Sequence, residues 1–384
     1  MLSLAAYLQI AASLAVTFVS FFIWTYLTSF EPFIIPGAII SSKFYDVNSV
    51  KVGHEIIYNV FSTRSNKAHA HAIRPVRKLF TLSYLLKTEP LIDASIQTLL
   101  SKLDSNFVLG DNSGKTCKMD DWLPFFAWDA IGRLTFGAPM GYLDNGCDFD
   151  GSQRSGTETI FYFACVGQIP ELDYFLVKNP VWRIGPPAFN GPAILCAQRV
   201  AERQREFEIE GKTAHKDMLE DFMRINKEDP SLMDDNAVVG ALIVNVVAGG
   251  DTTGILLCAI IYYVLKDPSV YRKLMEELDA ADLPCPVSYA STENLPYFDA
   301  VVKEAGHMHP DGRVLSPGTI VGMNAWVIHQ NKDIFGDDAA SFNPGRWLRN
   351  EAETEEGYQA RLHMMKSHDL TFGAGKRVCM GRSS

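Results

Sequence analysis

Phe372-Gly373-Ala374-Gly375-Lys376-Arg377-Val378-Cys379-Met380-Gly381 is a glycine-punctuated loop that delivers one cysteine beside two cations. A thiolate is the reactive form of cysteine, and Lys376, Arg377 and the start of a following helix would each lower the pKa of Cys379. Gly375 and Gly381 lack a Cβ, so backbone there can pass close to something flat and bulky. A lone cysteine in a glycine-rich turn is ordinarily just a buried thiol. Here the pattern is larger, because Phe372, Gly375, Arg377, Cys379 and Gly381 stand together at fixed spacing.

That spacing resembles the haem-binding loop of the cytochromes P450, in which a cysteine thiolate ligates haem iron. The resemblance covers nearly everything after about Val60. It implies a mainly α fold with small β-sheets, preceded by one N-terminal transmembrane helix. It implies Cys379 as the axial ligand of the iron of haem b, Arg377 toward a haem propionate, and Phe372, Gly375 and Gly381 shaping the loop. Electrons would come from NADPH through a flavoprotein reductase docking near Lys366, Lys376, Arg377 and Arg382. The phrases Val244-Asn-Val-Val-Ala-Gly-Gly-Asp-Thr-Thr253 and Asn324-Ala-Trp-Val-Ile-His329 are similar to fungal members of the family.

A second stretch runs from Asp234 to Leu265, with Asp234, Asp235 and Asn236 as capping candidates and Lys266-Asp267-Pro268 as its stop. As one helix it spans about 48 Å. It is apolar nearly all round, which predicts deep burial; a second membrane span is the rival, opposed by the carboxylate of Asp251, which is costly in lipid. Ala248-Gly249-Gly250-Asp251-Thr252-Thr253 resembles the oxygen-activation motif of the same family. Two glycines remove side chains where a ligand must approach, and Ser/Thr hydroxyls reshape a helix locally. The implied roles are Thr252 hydrogen-bonding dioxygen and Asp251 feeding protons from water.

A third stretch begins at Pro296, well suited to the first position of a helix, and continues through Lys303-Glu304-Ala305-Gly306-His307-Met308-His309-Pro310. The family usually carries Glu, two residues, then Arg. This chain has His307 at the arginine position, so Arg346 in Phe342-Asn-Pro-Gly-Arg346-Trp347 is the remaining partner for Glu304. Histidine lacks arginine's bidentate fork. Gly306 would weaken the helix by about 1 kcal/mol relative to Ala. A basic cluster at His69, His71, Arg74, Arg77 and Lys78 contains Arg74, the best-placed match to the family's propionate-binding base.

The chain has 384 residues, 47% hydrophobic, with a formal net charge of -10. It can bury a large core, and its acidic balance argues against general nucleic-acid binding. Seven cysteines without regular spacing do not resemble a disulfide framework and fit a reducing compartment. Residues 89–225 read as amphipathic packing helices, such as Glu89–Leu103 with Leu91, Ile92, Ile96, Leu99, Leu100 and Leu103 on one face. Asp120, Asp121 and Asp129 are assigned no chemistry, since acids near a helix start are favoured by the dipole alone. Arg199–Lys216 and Lys227–Asp235 fit surface segments. Met1–Phe30 carries no charge and is long enough to cross a bilayer, with the first cations, Lys43, Lys51 and Arg64, following it. This predicts a single-pass anchor at residues 1–30 in the endoplasmic reticulum membrane and a cytosolic haem domain at 31–384.

That domain departs from the family near 31–60, at 310–318, where Pro310–Gly318 joins the helix to the strand-like Thr319–Val327, and after Cys379. The expectation is a haem-thiolate monooxygenase acting on a lipophilic small molecule in fungal secondary metabolism. Two alternatives stand beside it: a truncated, inactive relative that binds haem poorly, favoured by His307 and the gaps, and a haem-thiolate isomerase or dehydratase, opposed by the intact Asp251-Thr252 pair.

Overall fold

The helix expected over Asp234–Leu265 forms as a single rod, Asp235–Lys266, and the other elements are arranged along it. A computed structural model describes residues 43–52, 55–109, 113–167, 169–179, 184, 190–210, 216–306 and 325–383. The anchor expected over Met1–Phe30, His307, and the junction at 310–318 lie outside these. Among the described residues we number the helices of eight or more residues: α1 Asn66–Ile73, α2 Leu82–Leu103, α3 Met119–Phe136, α4 Ser152–Val166, α5 Asn190–Glu210, α6 Met218–Glu228, α7 Asp235–Lys266, α8 Pro268–Ala280, α9 Pro296–Ala305 and α10 Glu355–His368. The chain is mainly helical. The described strands, β1 Val50–Val52 and β2 Glu55–Ile57, form one antiparallel ribbon with Val50 opposite Ile57.

Capping chemistry sets the long helices. Asp234 accepts from the Ala237 N–H at 2.7 Å and starts α7, and Asp267 both ends α7 and caps α8 through the N–H of Ser269 at 2.8 Å. Such side chains satisfy orphan donors of the first turn. Pro296 opens α9 as expected.

Helix α7 lies antiparallel on α3, and glycines set how closely the two approach. A Cβ added at Gly249 would come within 2.9 Å of Ile131, at Gly250 within 2.8 Å of the Trp128 ring, and at Gly254 within 3.1 Å of the Pro124 Cα. As the α7 number rises the α3 number falls, and the Asn245 amide to Thr135 Oγ1 bond at 2.9 Å continues the same register. Against this pair pack Leu99 of α2, Cys196 and Val200 of α5 and Phe222 of α6, forming the main core. A chain of rings, Phe107 to Trp122 to Phe125 to Tyr142 to Trp128, runs through it at centroid spacings of 5.6–6.4 Å. A smaller core joins Ala300 of α9 to Phe335, Trp347 and Met365 of α10.

Several expectations are corrected. Helix α2 begins at Leu82, not Glu89, and carries Pro90 within it; Leu100 is exposed while Leu99 is buried. Helix α7 is not buried all round: Val238, Leu242, Val246, Gly250 and Gly254 face inward, whereas Ile255, Tyr262 and Leu265 are exposed, because α3 and α5 cover one side only. It is long and apolar enough to cross a membrane, yet its glycine seat on α3 and its bonded Asp251 are those of a core helix. Within the strand-like Thr319–Val327, residues from Ala325 form a helical turn, Ala325–Ile328. In the expected surface segment Arg199–Lys216, Arg203 is buried and grips Asp217 Oδ2 at 2.8 Å, tying α5 to the start of α6.

Candidate active site

The cysteine loop is closed by its own backbone: the N–H of Cys379 donates to the Phe372 carbonyl at 2.8 Å. Gly373 and Gly375 turn the chain with φ of +70° and +66°, a region that side chains disfavour, and a Cβ at either would meet nothing within 4 Å. Short 3-10 turns, Gly375–Arg377 and Met380–Ser383, flank the cysteine, and the second packs on the turn Arg77–Phe80. The Cys379 side chain is exposed, as is Phe372. Gly381 lies in the second turn.

Arg377 departs from the open docking cation expected of it. Its guanidinium turns inward and donates to the carbonyls of Thr63 at 2.7 Å and Val60 at 3.4 Å, while Nε is buried with no hydrogen-bond partner. Burial lowers the Arg377 pKa. A half-buried cation held only by neutral carbonyls, beside an open thiol loop, fits a planar anionic group carrying carboxylates. The residues present therefore suit haem, with Cys379 to ligate its iron and Arg377 to meet a propionate. Arg74 follows α1, exposed, and Lys366 and Arg382 are exposed as well.

The support of the loop comes from α9. Glu304 is buried and receives four bonds: Arg346 Nε reaches both oxygens at 3.0 Å, the Asn343 N–H reaches Oε1 at 2.9 Å, and Trp347 Nε1 reaches Oε2 at 2.8 Å. Burial pushes the Glu304 carboxyl up, opposed by Arg346 and these donors. Arg346 has every N–H used: beyond Glu304 it serves the carbonyls of Phe335, Asp338 and Ser341 and the Asp338 carboxylate at 2.9 Å. The expected pairing of Glu304 with Arg346 is thus present. Trp347, Asn343 and Asp338 complete it and were not foreseen, although Trp347 directly follows the arginine. Gly306 is the C-cap rather than a weak point inside the helix, and a Cβ there would lie 2.5 Å from Thr371.

His329 was also missed as an organiser. It is fully buried, and its Nε2 accepts from the Leu370 N–H at 2.8 Å, two residues before Phe372. The Thr371 hydroxyl in turn reaches the Gly306 carbonyl, so α9 and the turn Ala325–Ile328 both hold the approach to the cysteine loop.

Asp251 is bonded to α3: Trp128 Nε1 donates to Oδ1 at 2.9 Å, and Oδ2 is buried without a partner. Burial pushes the carboxyl up to about 6, against the lowering effect of the indole bond. Thr252 is exposed and its hydroxyl donates to the Ala248 carbonyl at 2.6 Å. The two are therefore separated, one inside the helix pair and one on the open side of α7. Asp129, next to Trp128, is a structural anchor that accepts from the N–H groups of Gly141, Tyr142 and Leu143 at 2.7–3.1 Å.

The family model for "Cytochrome P450" matches residues 41–310 and 307–383. This chain belongs to the cytochrome P450 family. A cytochrome P450 monooxygenase, cfoH, of Aspergillus candidus is 36% identical over 359 residues, covering 88% of this chain and 66% of the relative. A cytochrome P450 monooxygenase of Aspergillus terreus is 34% identical over 367 residues, 89% of this chain and 72% of the relative. The cytochrome P450 monooxygenase cicH of Emericella nidulans is 32% identical over 367 residues, with coverage of 89% and 71%. The chain thus spans about two thirds of the length of the Aspergillus candidus relative it matches.

Proposed function

We propose that the chain works as a haem-thiolate monooxygenase that inserts one oxygen atom of O2 into a lipophilic small molecule, in fungal secondary metabolism. The observation that carries this reading is the pairing of an open Cys379 loop with a half-buried Arg377 whose enclosed Nε has no partner. Haem, when bound, supplies the oxygen activation and electron storage that amino-acid side chains cannot. In this reading Cys379 ligates the iron, Phe372, Gly375 and Gly381 leave the loop room to lie against the ring, and Arg377 and Arg74 meet the propionates. The Glu304–Arg346–Trp347 cluster keeps the loop in place, and His307, which lies outside the described residues, is assigned to the same support by its position in the sequence. Asp251 would feed protons from water, and Thr252, on the open side of α7, would hydrogen-bond the dioxygen.

NADPH electrons through a flavoprotein reductase, a single-pass anchor at residues 1–30 in the endoplasmic reticulum membrane, and a haem domain over 31–384 belong to the same proposal. The exposed Lys366 and Arg382 support a docking face for the reductase, since charges steer encounter. A second reading, a relative with poor haem retention, is supported by the family match falling into two pieces that meet at residues 307–310.

The test is haem stoichiometry followed by turnover. The proposal expects about one haem per chain by extraction assay, lost in Cys379→Ala, and reductase-dependent transfer of label from 18O2 into a lipophilic acceptor. Haem binding with product formation in the absence of oxygen would point to the isomerase reading. No haem in the wild type would leave the inactive relative.

A further inference from the structure

Between residues 236 and 265 of α7 the only carboxylate or cation is Asp251. It lies half-buried against α3 and α4, with its Oδ2 enclosed. The Trp128 indole N–H takes Oδ1 at 2.9 Å, while Oδ2 is buried and bonded to nothing. On the α4 side it faces Gly156, where an added Cβ would sit 3.0 Å from Oδ2.

None of the charged groups on the helices packed around it bonds to Asp251. On α3, Asp129 is consumed by the N–H groups at 141–143, while Arg133, whose Nε is buried without a hydrogen-bond partner, makes no bond to Asp251. On α4, Arg154 pairs with Glu158 at the surface. On α9, Glu304 is paired with Arg346. The two influences on Asp251 are burial and the indole.

The indole itself cannot swing away. Trp128 is 1% exposed, its ring rests edge-on against Tyr142 with centroids 5.6 Å apart, and Gly250 lies directly on it. A carboxyl that accepts from an N–H on one oxygen carries its own proton on the other.

We propose that Trp128 is the positioning residue of the Asp251 acid: its indole N–H holds Oδ1 and directs the exchangeable proton to Oδ2. This rests on the reading of Asp251 as the proton donor of a monooxygenase, but its first tests need no turnover. The indole N–H signal of Trp128 in chain labelled with 15N-tryptophan should move with pH in one step centred near 6 and stand still in Asp251→Asn. A signal that is flat in the wild type, or that still titrates in Asp251→Asn, would overturn the proposal. In infrared titration, the protonated-carboxyl band that Asp251→Asn removes should persist to higher pH in Trp128→Phe, by about one pH unit for the loss of one hydrogen bond to a charged oxygen. An unmoved midpoint in a folded Trp128→Phe would contradict it.

With haem and reductase supplied, the pH profile of product formed per NADPH consumed should shift the same way in Trp128→Phe, and a profile that stays fixed while the infrared midpoint moves would also contradict it. A chain that takes up no haem would defeat the monooxygenase reading, with the two spectroscopic tests still deciding the hold of Trp128 on Asp251.

Discussion

Glu304 is buried and Asp251 half-buried, and they differ in what answers their charge. Glu304 meets one guanidinium N–H, Arg346 Nε, shared between its two oxygens, and two further N–H donors. Removing Arg346 would strand that charge, and a broken buried pair costs about 3–5 kcal/mol. Arg346→Ala is therefore expected to lower the thermal midpoint severely, and Arg346→Lys to recover only part of it, since an ammonium lacks the fork that serves Glu304 and the carbonyls of Phe335, Asp338 and Ser341 together. Asp251 has a single donor and no cation, and its carboxyl sits at about 6. A folded-state value above the usual carboxylate range means that the folded chain binds more protons than the unfolded one between roughly pH 4 and 6, so stability falls as pH rises through that window. Asp251→Asn is accordingly expected to be more stable than wild type by about 2 kcal/mol at pH 7.5, with the gap closing near pH 4, as measured by denaturant unfolding at both values. At this scale the sequence pointed to Glu304 with Arg346 through the family resemblance of the Glu304 helix and the Phe342–Trp347 segment, not through residue chemistry, by which Glu304 reads as a solvated helix glutamate. It could not show Trp128 on Asp251, since the bond spans 123 residues and depends on how α3 and α7 are seated.

Helices α3 and α7 are held close by the absence of side chains at three places on α7. Gly250→Ala would drive a methyl to 2.8 Å from the Trp128 ring, in a core with no room to give, and overpacking of this kind costs about 1–3 kcal/mol. Gly240 sits in the same helix with nothing within 4 Å of a new Cβ, so Gly240→Ala is expected to stabilise by about 0.5–1 kcal/mol through helix propensity. Chemical denaturation of the two variants should move the midpoint in opposite directions; like changes would show that α7 does not pack on α3 in the register described. The ends of α7 and the start of α9 were legible because Asp234 and Pro296 carry local terminus chemistry. The start of α2 was not, because Pro90 reads as a boundary while the structure carries the helix through it. The extent of α7 burial was also misjudged, since an apolar surface says that a partner is preferred and not that one is supplied on every side.

The molecule as a whole places a thiol loop, a half-buried arginine without an anion and a satisfied Glu–Arg–Trp support in one chain of the cytochrome P450 family. Family membership was readable from the spacing of Phe372, Gly375, Arg377, Cys379 and Gly381 together with the motif around Asp251 and Thr252. The tertiary links that hold that loop, His329 to Leu370 and Arg377 to Val60 and Thr63, join segments far apart in sequence and have no local signature. Because Arg377 bridges to the turn at 60–63, Arg377→Ala is expected to loosen both ends of the contact: faster haem loss to a scavenger protein, and new protease cleavage around Val60–Thr63. Cleavage unchanged from wild type would remove the bridge from the account. The most direct test of the central claim is the absorption spectrum of the purified chain, reduced and exposed to carbon monoxide, with Cys379→Ala beside it. We predict the absorption band typical of a thiolate-ligated haem in the wild type and its loss in Cys379→Ala; a band that survives in the variant, or none in either, would contradict Cys379 as the haem ligand of this chain.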